Sequence, residues 1–117
     1  MFFFLKMEDL FNDIDTINKE ETPNMMHLNQ LPIGVRFAVE KIDSAEFLHG
    51  RGVRLYFHKD EAPYFVFVPR RYVPKFTEPR IQEINISIAG GKPPYFAFLG
   101  MEGQAFRFGL FESLNSA

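Results

Sequence analysis

The sequence predicts a small, mainly β domain with one helix. Three observations carry this. The chain has 117 residues, 46% of them hydrophobic and 24% charged, which suits one globular domain. Short runs alternate apolar and polar residues at strand period, bounded by Gly and Pro. One stretch alone combines a helix start with apolar residues at helical spacing.

The elements follow in order. After Leu31-Pro32, the run Ile33–Ile42 places Val35, Phe37 and Val39 in alternation with Arg36, Ala38 and Glu40, a first strand. His49-Gly-Arg-Gly52 reads as a turn. Val53–His58 sets Val53, Leu55 and Phe57 on one face and Arg54, Tyr56 and His58 on the other. Lys59–Pro63 is a second turn. Tyr64–Val68 is apolar on both faces, which predicts a central strand covered on both sides; Pro69 ends it. Thr77 supplies an N-cap and Pro79 sits in the first turn of a helix over Glu78–Asn85, with Ile81, Ile84 and Ile88 on one face. Ile84, Ile86 and Ile88 also fit a strand, and the helix is preferred. Gly90–Pro94 breaks the chain. Tyr95–Leu99 is a strand, Gly100–Gly103 a hairpin loop and Ala105–Phe111 the last strand.

Three strands, a helix and a hairpin make the order of a five-stranded OB-like Greek-key barrel with its helix between strands 3 and 4. That domain is expected over residues 28–112, with a tail over 113–117. Residues 1–27 read as an acidic N-terminal arm or short amphipathic helix. Leu10, Phe11, Ile14 and Ile17 recur at helical spacing there. Glu8, Asp9, Asp13, Asp15, Glu20 and Glu21 outnumber Lys6 and Lys19. Met7 offers a second plausible start. Met1–Leu5 is too short to span a bilayer, so no membrane partner is expected.

Fifteen Phe, four Tyr and no Trp or Cys are present. Without Cys there is no disulfide scaffold, thiolate metal site or cysteine nucleophile, and an intracellular or virion setting fits better than secretion. His27, His49 and His58 lack ligand-spaced partners, so no metal is expected. Gly90-Gly91-Lys92 runs into Pro93, which cannot serve a phosphate loop. Ser44, Ser87, Ser113 and Ser116 lie in no nucleophile elbow, and Glu40, Asp43 and Glu46 have no orienting third group. The expectation is a protein without catalytic residues or cofactors.

Binding has more support. Arg and aromatic residues interleave at Arg54-x-Tyr56-x-His58, Arg70-Arg71-Tyr72 and Phe106-Arg107-Phe108. Single-strand binders combine basic grooves with aromatic faces on which bases stack. A closed barrel would bring Arg36 and Arg107 beside Arg54 and Tyr56, with Tyr64 as a neighbour, while Arg70, Arg71 and Lys75 guide phosphates at the edge. The candidate interface is therefore Arg36, Arg54, Tyr56, His58, Arg70, Arg71, Tyr72, Lys75 and Arg107. The expected partner is single-stranded nucleic acid, DNA favoured, bound with little sequence preference. The acidic residues 8–21 would fold back over Arg54, Arg70 and Arg71 when no strand is bound. The alternative is an interaction module that self-associates through Phe65 and Phe67, or Phe96 and Phe98.

The run Phe65-Val-Phe-Val-Pro-Arg-Arg-Tyr72, with a Thr-initiated helix ending in Ile-Asn, resembles small single-domain proteins of arthropod viruses and mobile elements. Leu28–Gly34 is similar as well. The resemblance covers roughly residues 28–111, and that group carries no settled function. More broadly, the architecture is similar to OB-fold single-stranded DNA-binding proteins, viral ones included, which implies a role in DNA replication. That second likeness rests on topology, and topology does not fix function.

Overall fold

The computed structural model describes residues 23–114; the expected amphipathic helix of the arm lies outside them. The described chain is mainly β, with two sheets and one α-helix. Strands β1 (Asn24–Met25), β2 (Phe37–Ala38), β3 (Lys41–Phe47), β4 (Gly50–Lys59) and β5 (Ala62–Phe67) are followed by a 3-10 turn over Arg70–Lys75. Helix α1 (Glu78–Ala89) and strands β6 (Tyr95–Glu102) and β7 (Ala105–Phe111) complete the order. One sheet runs β1-β5-β4-β3 and the other β2-β6-β7. No described helix is long and apolar enough to cross a membrane.

The expected first strand divides between the sheets. Phe37 and Ala38 pair with β6, whereas Lys41–Phe47 pairs with β4. The switch falls at Val39 and Glu40, whose amides bond Pro94 O and Tyr56 O respectively, one on each side. Residues 43–47 escape the sequence pattern because Asp43, Ser44 and Glu46 break the apolar alternation. The closure expected of a barrel is not found among the described residues, where no strand pairing joins β7 to β5. The short β1 instead lies parallel to β5, with Met25 beside Phe65.

Alternation determines the core. Val53, Leu55 and Phe57 are buried, as their shared face predicts, and meet Val39, Ile42 and Val66. Phe57 and Phe96 join the sheets edge to face at 5.1 Å, with Phe37 packed on both. Burying such a ring contributes about 2–3 kcal/mol. Phe96 and Phe98 are core residues, not the exposed surface that the self-association alternative requires.

Helix α1 runs four residues beyond its expected end. Thr77 caps it by accepting from the Arg80 amide. Ile81 is buried, Ile84 and Ile88 are half-buried and Ile86 is 71% exposed, so helical period prevails over strand alternation. Asn85 fastens the helix to the outer edge of β3. Its Oδ1 accepts from the Ile42 amide at 3.1 Å, and its Nδ2 donates to Ile42 O at 2.8 Å. This supplies the edge with the two bonds a further strand would make, blunting it against pairing with another chain.

The hairpins differ from expectation by a few residues. The β3–β4 turn is Leu48-His49, because Gly50–Gly52 already pairs with β3. The β6–β7 turn is Gly103-Gln104. Gly100, at φ +97°, takes up a bulge within β6 rather than opening the loop.

Candidate nucleic-acid interface

The site is the outer face of the four-stranded sheet. Because Ile42, Val53, Leu55, Phe57 and Val66 point inward, the residues between them point outward. Register places them in two rows. Asp43, Arg54 and Phe67 stand side by side across β3, β4 and β5. Lys41, Tyr56 and Phe65 form the next row, which Met25 extends on β1.

Four aromatic rings make a continuous patch. Tyr56 meets Phe65 at 5.6 Å, Phe65 meets Phe67 edge to face at 5.5 Å, and Phe67 meets Phe47 edge to face at 5.4 Å. Phe47 reaches its place by lying across Gly52. A Cβ there would approach the Phe47 ring to 2.8 Å. Phe47 and Phe67 remain 41% and 37% exposed. Large apolar side chains left open in this way mark an interaction surface when they are contiguous.

Arg54 stands among the rings. Its Cζ is 5.6, 5.8 and 5.7 Å from the centroids of Phe47, Tyr56 and Phe65. Its Nε donates to Asp43 Oδ1 at 2.8 Å and its Nη2 to Oδ2 at 3.0 Å. The Tyr56 hydroxyl donates to the same Oδ2 at 2.9 Å. The bond to Asp43 raises the Arg54 pKa above its ordinary value. Burial, with the bond to Asp43, raises that of Tyr56, so the phenol stays a donor at neutral pH.

The cations around the patch are differently placed. Lys41 Nζ lies 5.4 Å from the Tyr56 ring centroid. Arg70 donates to His49 O and Arg71 to Phe106 O, while Arg71 also stacks at 4.9 Å on Tyr72. None of Lys41, Arg70 and Arg71 forms an ion pair among the described residues. Arg70 and Arg71 line an apolar cleft of about 440 Å³ whose walls include Met25, Leu28, Phe67 and Phe106. Phe67 therefore belongs both to the ring patch and to the cleft.

The remaining candidates are dispersed. His58 sits at the end of β4 with its Nδ1 2.6 Å from Glu40 Oε2. Tyr72 packs its half-buried ring edge-on against Phe108, and Lys75 is exposed at the end of the 3-10 turn. Arg36 and Arg107 do not join Arg54, because no pairing among the described residues brings β7 beside β5. Arg36 stacks at 3.7 Å on Phe111 and donates to Ser113 O; Arg107 lies on β7, 3.8 Å from Glu102. Tyr64 faces the core, 6.0 Å from Phe57, rather than the patch.

Asp43 and Phe47 were not evident as site features from sequence, and Phe65 and Phe67 were read there only as a self-association surface, not as neighbours of Tyr56 and Arg54. The expected covering of β5 on both sides is not found among the described residues, where only its Tyr64 and Val66 face meets the core. The available signal was parity. Once β5 pairs with β4, Phe65 and Phe67 must share the face of Tyr56 and Arg54. No family model, no curated protein and no solved structure matches this chain.

Proposed function

We propose that the outer face of the four-stranded sheet binds single-stranded nucleic acid, with DNA favoured, by stacking bases on Phe47, Tyr56, Phe65 and Phe67. Lys41, Arg70 and Arg71 take phosphates at its margins. The contiguous, part-exposed ring patch, beside cations that form no ion pair among the described residues, carries the proposal. Stacking contributes about 1–3 kcal/mol per base and needs no particular base. The OB-like assignment is part of the same proposal. Strands β4 and β5 take the second and third places in that order, and the face of those strands is where OB-folds bind oligonucleotides.

Self-association is the second reading, favoured by the same exposed Phe47, Phe67 and Met25. Fluorescence anisotropy of a labelled oligo-dT at about 50 and 200 mM salt separates the two. Strand binding weakens with a log-log slope of roughly -0.7 per phosphate contact. Absence of binding at the lower salt, with a mass that doubles on concentration, favours the dimer.

A further inference from the structure

Arg54 retains donors that its partner does not use. The bonds to Asp43 occupy Nε and one hydrogen of Nη2. Both hydrogens of Nη1 and the second of Nη2 have no acceptor among the described residues; one from each nitrogen forms the terminal edge of the guanidinium, adjacent to the edge that Asp43 takes. Asp43 is nearly saturated: three of its roughly four acceptor positions are filled by Arg54 and Tyr56. The centre of the patch thus offers a fixed pair of donors and few acceptors. Its charge is offset by Asp43, so it has little Coulombic pull on a phosphate. Its chemistry suits a neutral, flat group with two adjacent acceptors.

Resting on the nucleic-acid reading above, we infer that Arg54 gives one stacking position a preference for guanine, by donating to O6 and N7 of a base laid on Phe67 or Phe47. Phe67 stands next to Arg54 across the β4–β5 ladder, and Phe47, in contact with Phe67, has its ring centroid 5.6 Å from the Arg54 Cζ. A purine on either ring brings its edge to the guanidinium. The bond to Asp43 holds the fork in one orientation, which lowers the ordering cost of engaging a base. Thymine presents one acceptor at the corresponding edge, and adenine pairs its N7 with a donor amino group. This departs from the expectation of little sequence preference.

The test is anisotropy with oligo-dT of about 12 nucleotides carrying one central guanine, 7-deazaguanine, adenine or cytosine. Guanine is expected to bind about fivefold to 150-fold tighter than the others, and 7-deazaguanine, which lacks N7, to lose that gain. Arg54→Lys keeps the charge but loses the fork. It should lower the ratio of guanine to adenine affinity, since one flexible ammonium does not present a fixed pair of donors to O6 and N7. Equal affinity for guanine and 7-deazaguanine on the unaltered protein overturns the inference and leaves the stacking proposal standing. Failure of plain oligo-dT to bind overturns both.

Discussion

Arg54 and Asp43 face each other across the β3–β4 ladder and hold each other by two hydrogen bonds, with both side chains about a quarter exposed. A basic residue on a sheet face reads from sequence as a phosphate contact. Here its charge is met within the protein, and its planar group becomes part of an aromatic surface. Removing the counter-charge should change the character of that surface. Asp43→Asn is expected to tighten oligo-dT binding at low salt and steepen the log-log salt slope by about 0.7, one added phosphate contact. Anisotropy across a salt series measures this, and an unchanged slope contradicts it.

The rings themselves should matter more for binding than for folding. Phe47 and Phe67 are each more than a third exposed. The pair Phe47→Ala and Phe67→Ala removes two stacking partners and should weaken oligo-dT binding at least tenfold, from about 1–3 kcal/mol per base. The loss of thermal stability should be well below that of a buried Phe, which costs about 3–5 kcal/mol. Titration and thermal melting of the same variant give both numbers.

Asn85 and Ile42 provide a test of the scaffold. Asn85→Ala removes two hydrogen bonds and leaves both backbone groups of Ile42 without their partner. The expected destabilisation is about 2–3 kcal/mol. With β3 unblunted, the variant should also self-associate more readily. Thermal melting and sedimentation report the two effects.

Glu78 should shape the acid limb of stability. Its carboxylate accepts from Ser44 at 2.6 Å and from Arg51 at 3.1 Å, and these bonds lower its pKa below the ordinary 4.5. A carboxyl depressed in the folded state contributes stability above its unfolded pKa and loses it as pH falls through the folded value. The melting-temperature gap between the unaltered protein and Glu78→Gln should therefore narrow from about pH 6 to about pH 3. A gap independent of pH contradicts this role.

The acidic residues 8–21 join the described chain at Pro23, two residues before Met25 at the cleft that Arg70 and Arg71 line. If they compete with a strand for those cations, deleting residues 1–22 should tighten oligo-dT binding at low salt and change it little at high salt. Equal affinity at low salt removes these residues from the mechanism.

Much of the domain was legible because alternation is a local property. Val53, Leu55 and Phe57 against Arg54, Tyr56 and His58 assigned both faces of β4. Thr77 with Pro79 and Gly90 bracketed the helix, and the continued packing of Ile88 carried it to Ala89. The rest depended on what covers each strand. Tyr64–Val68 is apolar on both faces whether its outer side meets a layer of protein or remains a binding surface. Asp43 belongs to a run with little apolar patterning, so only the ladder reveals that it stands opposite Arg54. Placing Arg36 and Arg107 beside that pair required a closed barrel, and closure depends on a β5–β7 pairing that no single segment encodes.

The most direct measurement is an NMR titration of the labelled protein with unlabelled oligo-dT, following amide and aromatic resonances. Shifts are expected to concentrate on Phe47, Arg54, Tyr56, Phe65 and Phe67, to extend to Arg70, Arg71 and their neighbour Phe106, and to spare β6 and the rest of β7. Shifts centred on Arg36, Arg107 and the three-stranded sheet, or no shifts at low salt, would contradict the proposed interface.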